Sequence, residues 1–281
     1  MTIKAAKAVL ACLLAALAAP ALAVTGTNWV EDNAHPYVGL VVFFDADGEF
    51  IGRCSGSLIS STVFVTAGHC VEGAATARVY FQQDAGANFD PALGIDPITG
   101  YPDSCAGTTL GVLCAESNDL HDFADSTDAP ADDAAVVILT QPIALAQYGQ
   151  LPTENVLLTI GRGTANTLFT VSGYGLTKRW PEQTGKPFVS FRERLMGLSS
   201  FVNLNNTGGF YLQTQGNGNG RSGTCNGDSG GPVFLGGFDS NVIVGVTSFG
   251  LNTLCRGTDF AFRIDTPEVL AWISSFLPPS E

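Results

Sequence analysis

The sequence contains few charged residues, and most of these are acidic. Asp, Glu, Lys and Arg make up 14% of the 281 residues, with 13 basic residues against 26 acidic ones. A surface with this balance repels phosphate backbones and anionic lipids, so we expect neither nucleic acid nor a membrane as a partner. The sequence also has only three histidines and no Cys-x-x-Cys pair, which argues against a zinc site. We therefore expect no metal and no cofactor.

Calcium is a separate question, because the acidic residues concentrate between Asp84 and Asp133. This stretch has no ordered ligand spacing such as that of an EF-hand loop. We interpret it as a solvated acidic loop, and calcium binding there stays an open alternative.

Long apolar runs are absent after residue 23. Before that point, Lys4 and Lys7 precede an apolar stretch that is shorter than a membrane span needs, and Ala21-Leu22-Ala23 forms a small-x-small cleavage site. Residues 1–23 are therefore predicted to be a signal peptide, and the protein is predicted to be secreted, to the extracellular space or the periplasm. Removal of Lys4 and Lys7 leaves 11 basic residues against 26 acidic ones, a net charge of −15.

Cysteine usage fits this prediction of export. Cys12 lies in the predicted signal peptide, and an even number of cysteines follows it, namely Cys54, Cys70, Cys105, Cys114, Cys225 and Cys255. An even number in an exported chain implies disulfides, although the sequence alone does not choose among the possible pairings.

Short runs rich in Val, Ile, Phe and Thr alternate with Gly, Asn and Asp, which indicates an all-β fold. The runs form two sets of similar size. The first set includes the hairpin signal Asp47-Gly48 and ends with the single-strand run AAVVIL at 134–139, and the second begins at Thr167. Thr266 as N-cap, Pro267 in the first turn and apolar residues at helical spacing predict one C-terminal helix.

Two short strings carry the candidate catalytic residues, TAGHC at 66–70 and TCNGDSGGPV at 224–233. A serine hydroxyl is a weak nucleophile and needs a base, usually a histidine that a carboxylate orients. His69 follows an apolar strand, and Ser229 is flanked by glycines. These glycines permit a tight loop in which the N–H groups of Gly227 and Ser229 converge on one point, as an oxyanion hole requires.

Together, TAGHC and GDSGGP resemble the chymotrypsin family of serine endopeptidases, in which the histidine also precedes the serine. The resemblance implies a catalytic triad of His69, Asp133 and Ser229 that cleaves peptide bonds through an acyl-enzyme. Asp133 fits because it directly precedes the apolar strand AAVVIL, and Asp132 remains its rival. The resemblance also implies two Greek-key antiparallel β-barrels with a C-terminal α-helix, with the triad in the cleft between the barrels.

The domain organisation follows from the same resemblance. After the signal peptide, residues 24–145 are expected to form the N-terminal barrel half and to contain the acidic insertion loop. Residues 146–281 are expected to form the C-terminal barrel half and the terminal helix, so that residues 24–281 make one peptidase domain. Such a domain is expected to be a monomer that binds protein or peptide substrates, and a proteinaceous inhibitor is a further candidate partner.

The resemblance places a substrate pocket around six residues, Gly223, Thr224, Ser248, Phe249, Gly250 and Asp259. Strictly trypsin-like members carry an aspartate six residues before the serine, and this chain has Gly223 there. Asp259 is expected to face Gly223 across the pocket floor. A buried carboxylate needs a partner, so we expect a broad preference that includes Lys, Arg and large uncharged residues before the scissile bond.

The resemblance also implies the disulfide pairing, namely Cys54–Cys70 and Cys225–Cys255, with Cys105–Cys114 as the pair that is left. That last pair falls in an unusually long interval between His69 and Asp133, so we assign it to the insertion loop. Further cysteines that the family often has in the second barrel are missing.

The N-terminus is implied to take part in activation. Cleavage after Ala23 exposes Val24, and the resemblance implies that its ammonium group inserts beside Asp228. The buried carboxylate gains a partner, and the oxyanion loop becomes ordered. No propeptide is then required.

The remaining polar features are interpreted as surface features. His35 and His121 stand in polar surroundings and are expected on the surface. Asn205 begins a glycosylation sequon and is a candidate glycan site in a eukaryotic host. Two alternatives to the endopeptidase stay open, a catalytically silent module that only binds and an esterase that uses the same triad.

Overall fold

The computed structural model describes residues 24–26, 28–85, 101, 103–105, 114–123, 132–160, 167–177, 193–204, 209–216, 220–251 and 253–278. The predicted signal peptide, Asn205 and most of the acidic stretch between Asp84 and Asp133 lie outside the described residues. Within the described residues, no helix has the length and apolar character that crossing a membrane requires.

The described residues form strands that are numbered here in chain order. They are β1 (Thr25–Gly26), β2 (Val30–Glu31), β3 (Val38–Phe44), β4 (Phe50–Leu58), β5 (Val63–Thr66), β6 (Thr76–Tyr80), β7 (Cys114–Ser117), β8 (Asp119–Asp122), β9 (Ala135–Ile138), β10 (Leu168–Gly173), β11 (Leu195–Asn203), β12 (Tyr211–Gln215), β13 (Ser222–Gly223), β14 (Pro232–Leu235), β15 (Ile243–Gly250) and β16 (Thr258–Arg263). Two helices, α1 (Gly68–Val71) and α2 (Pro267–Ser274), and a 3₁₀ turn (Val156–Thr159) accompany them.

The first sheet has the strand order β7-β6-β3-β4-β5-β9-β8, and all its pairings are antiparallel. Strand β3 is buried along its whole length, which explains its nearly continuous apolar sequence VGLVVFF. The β3–β4 hairpin turns where Asp45 accepts hydrogen bonds from the N–H groups of Asp47 and Glu49. Gly48 has a φ of +81° there, so the hairpin predicted at Asp47-Gly48 is confirmed.

The second sheet has the strand order β10-β14-β15-β16-β12-β11-β2, and an additional β10–β11 pairing closes it into a barrel. Strands β1 and β2 precede the first sheet in the chain, but β2 pairs with β11 and β1 pairs with β13. The N-terminal segment is thereby fastened to the second barrel. The prediction of two antiparallel β-barrels with few helices is confirmed.

Helix α2 follows the last barrel strand, as its sequence predicts. Val269 and Ile273 are buried, and they stand four residues apart on one face of the helix. Trp272 packs beside Phe123, with ring centroids 5.1 Å apart. Thr266 is the N-cap residue, although its side chain makes no capping hydrogen bond. This C-terminal helix therefore packs against residues next to β8.

Two strands lie within the acidic stretch that the sequence assigns to a loop. Strand β7 pairs with β6, and β8 pairs with β9, so both are edge strands of the first sheet. Their sequences, CAES and DLHD, are too short and too polar to show a two-residue hydrophobic alternation. The interpretation of the whole stretch as a loop is wrong for these residues.

The expectation that His35 lies on the surface is also wrong, because its exposed fraction is 1%. Its Nδ1 is 2.8 Å from Asp32 Oδ1, its Nε2 is 3.0 Å from the carbonyl oxygen of Ser240, and its ring stacks on Phe234 at 4.3 Å. Its polar neighbours in the sequence suggested solvent, but Asp32 instead satisfies the buried ring. His121 is partly exposed and lies 2.8 Å from Asp119.

Candidate active site

Pairing of β5 with β9 brings His69 and Asp133 together. Thr66, the last residue of β5, stands opposite Ala135, so the residues just beyond the two strand ends meet. His69 Nδ1 lies 2.9 Å from Asp133 Oδ1, and the backbone N–H of His69 donates to the same oxygen at 2.9 Å. The carboxylate is therefore hydrogen-bonded to both the ring and the backbone N–H of the histidine. This geometry selects Asp133 over Asp132 as the partner of His69.

The environment of this pair favours its charged forms. Burial opposes ionisation of Asp133, but the hydrogen bonds and charge of His69 and the hydroxyl of Ser248, which donates to Oδ2, hold the pKa of Asp133 below its ordinary value. Burial also opposes the charge on His69, yet its hydrogen bond to Asp133 and the charges of Asp133 and Glu72 raise the pKa of the imidazole. The arrangement orients His69 and stabilises an imidazolium.

Ser229 lies between two cavities that both include it in their walls. The carbonyl oxygen of Ser229 accepts a hydrogen bond from the N–H of Ser55 at 2.8 Å. The N–H of the next residue, Gly230, donates to the carbonyl oxygen of Thr247 at 2.7 Å. Gly230 has a φ of +76°, and a side chain there would place Cβ 2.1 Å from Thr66 Oγ1. Glycine is therefore required for the serine loop to approach β5, the strand that leads to His69.

The histidine and the serine share one of these cavities but are not hydrogen-bonded to each other. It has a volume of about 350 Å³, and both His69 and Ser229 line it. His69 Nε2 lies 3.7 Å from Cys70 Sγ, and among the described residues no hydrogen bond joins His69 to Ser229. Catalytic hydrogen bonds are often long without substrate, so this spacing is compatible with a nucleophile and its base.

The loop before Ser229 leaves two backbone N–H groups without an acceptor among the described residues, those of Gly227 and Ser229. The N–H of Asp228, which lies between them, donates to Cys225 at 3.0 Å. Gly227 has a φ of +95°, and its carbonyl oxygen accepts a hydrogen bond from the Ser55 hydroxyl at 2.8 Å. These two N–H groups are the ones that the sequence assigns to an oxyanion hole.

Asp228 is fully buried, and it accepts the N–H groups of Gly175 at 2.8 Å and Cys225 at 2.9 Å. Burial raises the pKa of Asp228 to about 7. Among the described residues, none forms a salt bridge with this carboxyl group. Val24 is also fully buried, and the adjoining Thr25 pairs with Gly223, five residues before Asp228.

The second cavity also has a volume of about 350 Å³ and contains four of the six predicted pocket residues, namely Thr224, Ser248, Phe249 and Gly250. Gly223 and Asp259 are not in its wall. Asp259 lies behind Thr224, whose N–H donates to Asp259 Oδ2 at 2.8 Å. Burial raises the pKa of Asp259 to about 6.

Several cavity residues are missing from the set predicted from sequence. Asn226, Thr247, Leu251 and Thr253 also line the pocket, and Ile51, Gly52, Arg53 and Glu72 line the neighbouring cavity that holds His69. Apart from Asn226, none of them lies in one of the two quoted strings. Asn226 alone had a usable signal, because it stands three residues before Ser229 in the quoted string.

The structure contains the three predicted disulfides, Cys54–Cys70, Cys105–Cys114 and Cys225–Cys255. The first fixes the residue that follows His69, and the third joins two segments of the pocket wall. Cys54, His69 and Cys70 place ligand-type atoms within 4.8 Å of one another. The two sulfurs are bonded to each other, so they are not thiolate ligands for a metal.

Comparisons with known proteins agree with this geometry. A family model described as Trypsin matches residues 24–273. The chain is 27% identical over 264 residues to Chymotrypsin from Phaedon cochleariae, covering 92% of this chain and 81% of the relative. It is 31% identical over 213 residues to Brachyurin from Leptuca pugilator, covering 72% and 78%. It spans only 55, 57 and 60% of three further relatives from Drosophila melanogaster and Anopheles gambiae.

A solved structure of HL collagenase has the same fold, with a TM-score of 0.61, 18% identity and coverage of 89% of this chain and 97% of that one. At this identity the likeness concerns the fold alone. Together with the family match over residues 24–273, these findings show that the chain belongs to the trypsin family of serine proteases and is a hydrolase.

Proposed function

We propose that the protein is a secreted serine endopeptidase whose catalytic triad is His69, Asp133 and Ser229. The observation that carries this proposal is the pairing of His69 Nδ1 with Asp133 Oδ1 at 2.9 Å beside a cavity that Ser229 also lines. The peptidase domain comprises residues 24–281, with halves at 24–145 and 146–281, and strands β1 and β2 of the first half pair with strands of the second barrel.

In the proposed mechanism, His69 Nε2 takes the proton of Ser229 Oγ as that oxygen attacks the scissile carbonyl carbon. The N–H groups of Gly227 and Ser229 hold the negative oxygen of the tetrahedral intermediate. His69 then gives the proton to the leaving amine, the carbon–nitrogen bond breaks, and the acyl-enzyme remains. A water molecule, deprotonated by His69, attacks the ester and releases the acid and Ser229. Asp133 orients the imidazole and stabilises its charged form throughout.

We assign substrate preference to the cavity beside Ser229. Thr224 separates the cavity from the carboxyl of Asp259, so a cationic side chain that enters approaches a buried negative charge, and Phe249 offers an apolar wall. A broad preference for Lys, Arg, Leu and Phe follows. Protein and peptide chains are the expected substrates, the domain acts as a monomer, and a proteinaceous inhibitor that fills the same cavity is a further partner.

We also assign an activation role to Val24. Val24 has a φ of +64°, a left-handed conformation that is strained for a β-branched residue. Cleavage before Val24 relieves this strain, because an N-terminal residue has no φ. It also frees an ammonium group to pair with Asp228, five residues beyond the Gly223 that Thr25 pairs with. The new cation offsets the burial of that carboxylate. N-terminal sequencing of the secreted enzyme should give Val24, and a start several residues later contradicts this assignment.

An organophosphonate probe tests the catalytic proposal directly. It is expected to add one phosphonyl group to Ser229, detected by mass spectrometry of the Ser229 peptide, and the Ser229→Ala variant should take up none. Cleavage of a diverse peptide library should fall roughly 10⁶-fold in kcat in the same variant. A wild-type protein that stays unmodified and cleaves nothing would be a binding module with a protease fold, and one that hydrolyses only esters would be an esterase.

A further inference from the structure

A third cavity, of about 250 Å³, lies on the second barrel beside helix α2. It is lined by Phe123, Asp132, Phe210, Phe262, Arg263, Thr266, Glu268 and Val269. Phe123, Phe262 and Val269 are buried and form an apolar floor, whereas Phe210 at the rim is 42% exposed. Neither the triad nor the substrate pocket uses this cavity.

The charge of the cavity wall is negative. Arg263 is the basic residue in the wall, and its guanidinium lies 2.8 and 3.1 Å from the two carboxylate oxygens of Asp265, which is fully buried. These two charges offset each other. The carboxylate of Glu268, which is exposed, also belongs to the wall, so the net charge around the apolar floor is negative. A ligand that combines an apolar side chain with flanking cationic groups matches both features.

The chain segments that flank the cavity residues in sequence lack this chemistry. The protein's own basic and apolar residues, such as Lys178-Arg179-Trp180, lie outside the described residues, and net charge disfavours a second copy as the occupant. Residues 124–131 read ADSTDAPA and residues 205–208 read NNTG, so they offer no large apolar side chain and no basic one. After residue 23 the chain carries a net charge of −15, which makes two copies repel each other. The occupant is therefore expected to be another polypeptide with a basic and apolar segment.

The position of the cavity connects it with the substrate pocket. Tyr211 packs between the two, with its ring centroid 5.2 Å from Phe249 in the pocket wall and 5.8 Å from Phe262 in the cavity floor. These two ring contacts separate Phe249 from Phe262 by at most about 11 Å, which an extended chain of about 3.3–3.6 Å per residue spans in roughly three residues. A spacer of roughly four to six residues also allows for the step from the scissile bond to Phe249. One bound substrate chain can reach both sites.

We infer that this cavity is an exosite that binds a basic and apolar segment of the substrate, N-terminal to the scissile bond. The inference rests on the proposed endopeptidase function. The segment is placed N-terminal to the scissile bond on the assumption that Phe249 and Gly250 face the N-terminal part of a bound substrate. A remote contact of this kind adds binding energy to long substrates and is absent from short ones.

The test compares peptides that share one Leu cleavage site and differ only upstream of it. One carries a Lys-Phe-Lys module behind a Gly-Ser spacer of four to six residues, one carries Glu-Phe-Glu, and one carries no module. We expect the Lys-Phe-Lys module to raise kcat/KM about tenfold, chiefly through KM, as one partly buried aromatic contact with exposed ion pairs provides. Mass spectrometry confirms that cleavage occurs at the Leu bond.

Matched variants assign the effect to the cavity. Phe210→Ala and Glu268→Gln should each lose most of the gain and leave the peptide without a module within about twofold of wild type. Leu158→Ala removes an apolar side chain that is 61% exposed elsewhere, and Glu154→Gln removes an exposed carboxylate elsewhere, so both should keep the gain. Equal rates with the Lys-Phe-Lys and Glu-Phe-Glu modules, or an undiminished gain in both cavity variants, overturn the inference.

Calorimetry with the Ser229→Ala protein separates the exosite from catalysis. The Lys-Phe-Lys peptide should bind this protein at least several-fold more tightly than the Glu-Phe-Glu peptide, and Phe210→Ala in the same background should remove the difference. Preferential binding without any cleavage by the wild-type enzyme would refute the proposed function and retain the site. Cleavage without preferential binding would retain the function and refute the site.

Discussion

The buried carboxyl of Asp259 predicts that the choice between cationic and neutral substrate side chains changes with pH. Its exposed fraction is 6%, the N–H of Thr224 donates to it, and burial raises its pKa to about 6. The ionised fraction is then about one tenth at pH 5 and about nine tenths at pH 7. Because only the ionised form attracts Lys or Arg, the Arg-to-Leu ratio of kcat/KM should rise up to roughly tenfold over this interval.

The assay uses two peptides that differ only in Arg or Leu before the scissile bond, because effects of pH on His69 then cancel in the ratio. In Asp259→Asn the ratio should become independent of pH. Cleavage after Arg at pH 7 should fall roughly tenfold, because removing the charge behind Thr224 has the same effect as protonating it. Asp239→Asn removes an exposed carboxylate of the same barrel and should leave the pH dependence intact.

Stability gives a second readout with a defined sign. The pKa of Asp259 is raised from 3.8 to about 6 on folding, so its contribution to stability is fully present below pH 3.8 and is lost as the pH rises through about 6. Asp259→Asn should therefore increase the free energy of unfolding at pH 7, by an amount on the order of 3 kcal/mol. A flat Arg-to-Leu ratio in wild type, together with an unchanged ratio in Asp259→Asn, would refute the reasoning about this carboxyl group.

Three further predictions concern the serine loop, the base and the insertion. Gly230→Ala should abolish activity and lower Tm, because its Cβ would lie 2.1 Å from a side-chain oxygen of β5 at a φ of +76°; a Tm and kcat equal to wild type would contradict this. Glu72→Gln should move the acid limb of the kcat/KM–pH profile to lower pH, because Glu72 helps to raise the pKa of His69; an unmoved limb would exclude the effect. The double variant Cys105→Ser, Cys114→Ser should lose about 2–4 kcal/mol of stability in urea unfolding, and an unchanged midpoint would show that the bond contributes nothing.

The sequence predicts the candidate catalytic centre well, because the chemistry depends on local strings. TAGHC and GDSGGP supply His69 and Ser229 together with the glycines that their loops need. The choice between Asp132 and Asp133 could not be made locally, since both precede the same apolar strand. It depends on the β5–β9 register, a contact between residues that are far apart in the chain.

Features that depend on distant partners could not be predicted from the sequence. The polar neighbours of His35 suggested exposure, but Ser240 accepts a hydrogen bond from its ring and Phe234 stacks on it. The short polar strands β7 and β8 exist because β6 and β9 present free edges to them. Asp259 was expected in the pocket floor and lies one residue layer behind Thr224 instead, and a pattern within one strand cannot fix that depth.

Three buried carboxyl groups lie close to the pocket, and only one of them has a cationic partner among the described residues. Asp133 is paired with His69, and its pKa is lowered. Asp228 and Asp259 have backbone donors but no salt-bridge partner among the described residues, and burial raises their pKa values to about 7 and about 6. Because a buried carboxylate is stabilised by a cation, the missing partners define two events in the proposed mechanism. In this proposal, the ammonium group of Val24 supplies one cation when the chain is cut, and a Lys or Arg that enters the pocket in front of Thr224 approaches the other carboxylate.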